Sequence, residues 1–138
     1  MKRRLSILLS ALCLLALTSC SRAIMLQVFN NTGVEVKILA NDGHQEQSFS
    51  VAQGQSQRIK APLGISVLSG GNSWQYDVKP VPKTKQYMIS ETFGPLVIKL
   101  QLQPDGSVHV LPPTAQGTQD GLPTQPPGYP LIPAPKTP

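Results

Sequence analysis

Few side chains in this chain suit metal binding or proton transfer: two histidines and seven acids in 138 residues. A zinc site needs three or four converging ligands. His44 follows a glycine turn and His109 sits in a late strand, with no Cys or His-x-x-x-His spacing beside either. Asp42, Asp77 and Asp105 fall at or near turns, where a carboxylate bonds its own backbone, so they do not read as a hydrolase pair. No serine lies in a Gly-x-Ser-x-Gly elbow. The residues therefore predict no catalytic site, no metal and no cofactor. Trp74 and Tyr76 share one face of a strand and form, with Tyr129 further on, the candidate binding surface for a sugar or peptide. The ordinary use of such a tryptophan, and the first expectation for Trp74, is as a core anchor.

The remaining reactive group is a thiol. Met1-Lys2-Arg3-Arg4 is a positive start, and Leu5 to Leu17 is an apolar run broken only by Ser6 and Ser10. That run falls short of the roughly 20 apolar residues a membrane span requires and has the composition of a secretory signal. Small residues at Thr18 and Ser19 let extended backbone enter a protease site, and Cys20 supplies a nucleophile there. Leu17-Thr18-Ser19-Cys20 resembles the lipobox of bacterial lipoproteins. The resemblance implies a diacylglycerol thioether on Cys20, cleavage before it, and often acylation of the new amino group. Each buried CH₂ contributes about 0.8 kcal/mol, so two or three chains anchor a protein durably. By resemblance to Gram-negative sorting, Ser21 in place of Asp favours the outer membrane, facing the periplasm. A plain signal cut near Cys20, or an uncleaved anchor, is the alternative.

Export changes the charge and cysteine accounting. Three of the twelve Lys/Arg leave with the signal, so nine face seven acids and the formal charge falls from +5 to +2. The remaining cations are spread along the chain, whereas nucleic-acid binding needs them clustered. Cys13 also leaves, and a mature chain with Cys20 as its one cysteine has no internal disulfide.

From Ile24 to Leu111 the apolar residues recur with period two, the alternation of half-buried strands. Ile24, Leu26 and Val28 lead into the Asn30-Asn31-Thr32-Gly33 turn; its Asn-Asn-Thr matches a glycosylation sequon but reads as turn chemistry. Val34, Val36 and Ile38 precede Asn41-Asp42-Gly43, and a weaker strand covers Gln47 to Val51. Ile59 marks a short strand, Gly64–Ser69 and Ser73–Lys79 form a hairpin, and Leu96 to Gln103 alternates most strictly. Ser107 to Leu111 ends the series, while Lys83 to Phe93 reads as loop, irregular strand or helical turn. The expected fold is all-β, a small antiparallel β-sandwich of seven or eight strands. The Asn-Asn-Thr-Gly, Asn-Asp-Gly and Gln-Gly-Gln-Ser turns are similar to those of small prealbumin-like, Ig-like or von Hippel-Lindau β-domain sandwiches. Small lipoproteins whose last strand reads like Gln103-Pro104-Asp105-Gly106-Ser107 are also similar. These resemblances imply a fold and no activity.

Nine of the fourteen prolines lie between Pro112 and Pro138, which predicts a disordered or polyproline-II tail able to reach on the order of 80 Å. Tyr129, Leu131 and Ile132 exceed what a solvated spacer needs; they suit docking on the domain's own surface or in a partner's groove. The organisation expected is signal 1–19, lipidated tether 20–23, sandwich 24–111 and tail 112–138. The function expected is a non-enzymatic interaction or structural module, held to the membrane by acyl chains on Cys20, with an envelope protein as partner. The alternative is a carrier for a small envelope ligand, a glycan fragment or lipid.

Overall fold

The computed structural model describes residues 22–76, 85–90 and 94–134. The signal, the lipobox residues Leu17, Thr18 and Ser19, and Cys20 lie outside the described residues. The domain is all-β, with nine strands in two facing sheets among the described residues. The first sheet has the order β4 (Ser56–Lys60), β1 (Ile24–Asn30), β8 (Leu96–Leu102); β7 (Met88–Ser90) and β9 (Val108–Val110) share the far side of β8. The second runs β3 (Glu46–Val51), β2 (Val36–Asn41), β5 (Gly64–Ser69), β6 (Asn72–Tyr76).

Period-two patterning sets the core. Leu26 and Val28 of β1 and Ile98, Leu100 and Leu102 of β8 meet Val36, Ile38 and Val67 of the second sheet, all buried. The β3–β4 turn closes one side of the sandwich by joining the edge strand of each sheet. The ambiguous segment yields a 3₁₀ turn over Lys85–Tyr87 followed by β7, which takes the strand count beyond seven or eight. Val34 is exposed in the loop before β2, and the strand expected over Ser73–Lys79 is described as far as Tyr76.

Two expectations are corrected. The first sheet is mixed, because β1 and β8 run parallel from Ile24↔Leu96 to Asn30↔Leu102. Alternation carries no strand direction, and here β7 returns the chain to the pole where β1 begins, so β8 leaves in the same sense. The second correction concerns the tail. Residues 112–134 pack on the sandwich instead of trailing from it. Prolines remove donors but leave carbonyls, and the outer face of β8 supplies the donors. Lys99 Nζ donates to the carbonyls of Pro113 (2.9 Å) and Ala115. The fully buried Gln101 donates through Nε2 to the Gln119 carbonyl (2.8 Å) and accepts the Gln119 N–H at Oε1 (2.7 Å). Phe29, Leu111 and Ala115 are buried together there, with Leu122 against them, as a second small core outside the sheet.

The same segment then closes the second side of the sandwich. The Gln125 amide pairs with the backbone of Val110, accepting its N–H (2.7 Å) and donating to its carbonyl (3.1 Å), in the place of a neighbouring strand residue. Leu131 exchanges two backbone bonds with Val108, and the Ala134 N–H reaches the Gln75 carbonyl on β6 (3.0 Å). The tail thus joins the β9 edge of one sheet to the β6 edge of the other. Among the described residues no helix is long and apolar enough to cross a membrane.

Candidate functional site

Trp74 and Tyr76, singled out from the sequence, converge on the turn before β9. Gly106 has φ +83°, and a Cβ there would lie 2.8 Å from Cδ2 and Cε2 of Trp74 and 3.0 Å from Pro133 Cγ. The indole is therefore seated against the glycine, with the tail proline beside it, and only glycine permits both that backbone and that approach. Tyr76 is buried, and its hydroxyl donates to the Gly106 carbonyl at 2.5 Å. Burial, reinforced by the nearby Asp105 charge, pushes its phenol well above the usual value.

Tyr129 is buried with the main core, its hydroxyl enclosed without a partner among the described residues and its pKa pushed up to about 12 by burial. The three aromatics therefore pack the interior and its edge; they do not present the open stacking surface that the sequence suggested. Trp74 takes the core-anchor role, half-buried against the cluster.

Among the described residues the two sheets pack closely. The space between the sheets, lined by residues including Leu26, Val67, Leu100 and Leu131, is about 20 Å³. That is the size of one water, and apolar walls keep such a space dry. A wider, open recess of about 340 Å³ lies between Leu63, Gln75, Tyr76 and Ala134.

One polar chain escaped the sequence reading. The turn before β9 brings Asp105 and Ser107 into one chain of bonds with His109 on the strand. Asp105 Oδ1 accepts both the Ser107 N–H (2.8 Å) and its hydroxyl (2.6 Å), and Ser107 Oγ lies 3.0 Å from His109 Nε2. These bonds hold the Asp105 carboxyl below its usual value, the serine hydroxyl contributing most. Because the serine has one proton and gives it to Asp105, His109 Nε2–H must be the donor to Ser107. His109 Nδ1 is then a bare, buried acceptor without a partner.

The order matters for chemistry. In a nucleophilic triad the histidine stands between acid and serine; here the buried serine stands between acid and histidine. Bonded this way, the chain clamps a turn and leaves no activated hydroxyl. Asp105 was legible as a turn former bonding backbone two residues on, whereas the reach of Ser107 to His109 depends on how the turn meets β9. Among the described residues no three His, Cys, Asp or Glu side chains gather to hold a metal.

Burial holds the His109 pKa below its ordinary value, partly opposed by Asp105. A histidine depressed on folding contributes stability above its unfolded pKa of about 6.5 and loses it as pH falls through the folded value. The melting temperature should therefore drop on acidification from about pH 7 to about pH 5, before Asp105 titrates. In His109→Gln, which keeps an N–H donor for Ser107, this part of the slope should vanish; an unchanged slope would assign it elsewhere.

No family model, curated protein or solved structure matches this chain.

Proposed function

We propose that the chain is a lipid-anchored, non-enzymatic module of the bacterial cell envelope. It would be held by acyl chains on Cys20 in the outer membrane, facing the periplasm, and would present the outside of a rigid sandwich to an envelope protein. The lipobox Leu17-Thr18-Ser19-Cys20 supports the anchor. The observation that carries the interaction role is the tight packing between the sheets: among the described residues, the space lined by Leu26, Val67, Leu100 and Leu131 is about 20 Å³, and the tail joins the β9 edge to the β6 edge. A carrier of a glycan fragment or lipid needs a pocket of about 300 Å³ or more that encloses most of its ligand, and the recess of about 340 Å³ beside Tyr76 is large enough but open. The module presents surface and edge strands instead.

The test is intact mass and membrane fractionation of the expressed protein beside Cys20→Ala. A mature chain beginning at Cys20 with acyl mass, lost in the variant together with membrane association, is the expected result. Cross-linking in intact cells would then capture a partner that Cys20→Ala fails to reach. An unacylated, soluble protein cut elsewhere would overturn the anchor and move the ligand carrier to first place.

A further inference from the structure

The lipidated cysteine and the first strand are separated by three residues, Ser21, Arg22 and Ala23. Ala23 is already fixed to the fold, its carbonyl accepting the Leu96 N–H at 2.9 Å, and Arg22 Nη1 donates to Ser90 Oγ at 2.5 Å. Fully extended chain covers about 3.5 Å per residue, so Cys20 lies within about 10 Å of the pole where β1 begins. β1 itself, with seven residues, runs about 20 Å to the opposite pole. A domain on so short a tether cannot stand clear of the bilayer.

That pole is polar around one exposed large apolar side chain, Leu63. It is built from the start of β1, the 61–63 crossover between the sheets, and the 41–45 turn. The bonds Ala61 N–H to Ile24 O and Leu63 N–H to Asn41 O, both 2.8 Å, hold these together. Leu63 is 68% exposed, lying over the turn with its Cδ1 2.9 Å from where a Gly43 Cβ would be. Charge does not select the membrane here. Arg22 and Lys60 are exposed at this pole, but Asp42 lies near Lys60 and Glu46 is exposed at the end of the turn, and N–H donors from Gln45 and His44 keep Asp42 ionised. We infer that this pole rests on the bilayer to which Cys20 is anchored, with Leu63 inserted at the interface as the contact that orients the domain. The inference rests on the lipoprotein reading. Its occupant is a lipid surface, taken through apolar contact and hence without dependence on salt.

The acylated full-length protein, purified from membranes, is placed in phosphatidylethanolamine–phosphatidylglycerol vesicles carrying a nitroxide headgroup. Single fluorescent labels go on Gln45→Cys beside Leu63, Val34→Cys at the opposite pole, and Ile132→Cys on the tail. Quenching should be several-fold stronger at position 45 than at 34 or 132, unchanged by added salt, and reduced at 45 when Leu63→Asp is introduced. Equal quenching at 34, stronger quenching at 132, or indifference to Leu63→Asp would overturn the inference while leaving the anchor intact. Sensitivity to salt would replace apolar insertion with charge attraction. The mass of the same samples separates the two proposals: absence of acyl chains on Cys20 would remove the anchor, and the oriented pole with it.

Discussion

Asn30→Ala should lower the melting temperature by about 10–20 °C, while Asn31→Ala next to it should cost only a few degrees. The Asn30 side chain is 1% exposed and uses its whole bonding capacity. Its Nδ2 donates to the carbonyls of Val34 (2.7 Å) and Val51 (2.9 Å), and its Oδ1 accepts the Thr32 N–H (3.0 Å) and hydroxyl (2.8 Å). Its backbone adds bonds to Gln55 and Gly54. One residue at the end of a first-sheet strand thus holds the turn that follows it and a carbonyl on an edge strand of the second sheet. Truncation strands the Val51 carbonyl and cuts the turn loose; a lost buried partner costs about 1–3 kcal/mol and the whole about 2–4 kcal/mol. Asn31 makes one side-chain bond, to Gln103 Oε1 at 2.9 Å, from a half-buried position where water can replace it. Asn30→Asp should be at least as harmful as alanine, since it loses two donors and buries a charge. Thermal melts of the three variants decide the matter: equal effects at 30 and 31 would reduce Asn30 to an ordinary turn residue.

Tyr129→Ala should cost about 3 kcal/mol, whereas Tyr129→Phe should be neutral or stabilising. The ring fills the core, but the hydroxyl is enclosed without a partner, so removing it sheds an unsatisfied polar group and loses no bond. The pair of substitutions separates a packed tail from a solvated one, in which neither change would matter. Ending the chain after Pro113 should destabilise further, because it uncovers Phe29 and Gln101, removes the amide clamp on Val110 and reopens the edge between β9 and β6. Amide exchange gives a second readout: the Ala115 and Leu131 N–H groups, both bonded to backbone carbonyls, should be protected in the full chain. Free exchange at both would contradict the packed arrangement.

The strands were legible because burial imposes alternation, and β8 alternates most strictly. Strand direction was not, since parallel and antiparallel partners ask for the same pattern. Lys99 and Gln101 read as solvent-facing because polar residues on the far side of a strand are usually wet. Here they are the donors that a proline-rich segment lacks, and only the tertiary contact reveals it. The docking of Tyr129 and Leu131 was foreshadowed by apolar residues out of place in a spacer. Asn30 was legible as a turn former through its local bonds to Thr32 and Val34, whereas its reach to Val51 was not. Trp74 and Tyr76 lie on β6, and Trp74 is used there as the core anchor expected of it, while the stacking surface is not formed. Nothing in Trp74 and Tyr76 themselves tells that Gly106 and Pro133 will cover them.

The parallel pairing of β1 with β8 also has a kinetic consequence. Leu26 meets Ile98 across most of the domain's sequence, and such long loops must close before their contacts repay the lost entropy. At about 5–20 residues per second, the ribosome needs on the order of 4–14 seconds to make the stretch between them. Throughout that interval the central strand of the first sheet lacks the neighbour that buries it. A chain bound for export would gain from this delay, because the first sheet stays threadable until β8 has been made.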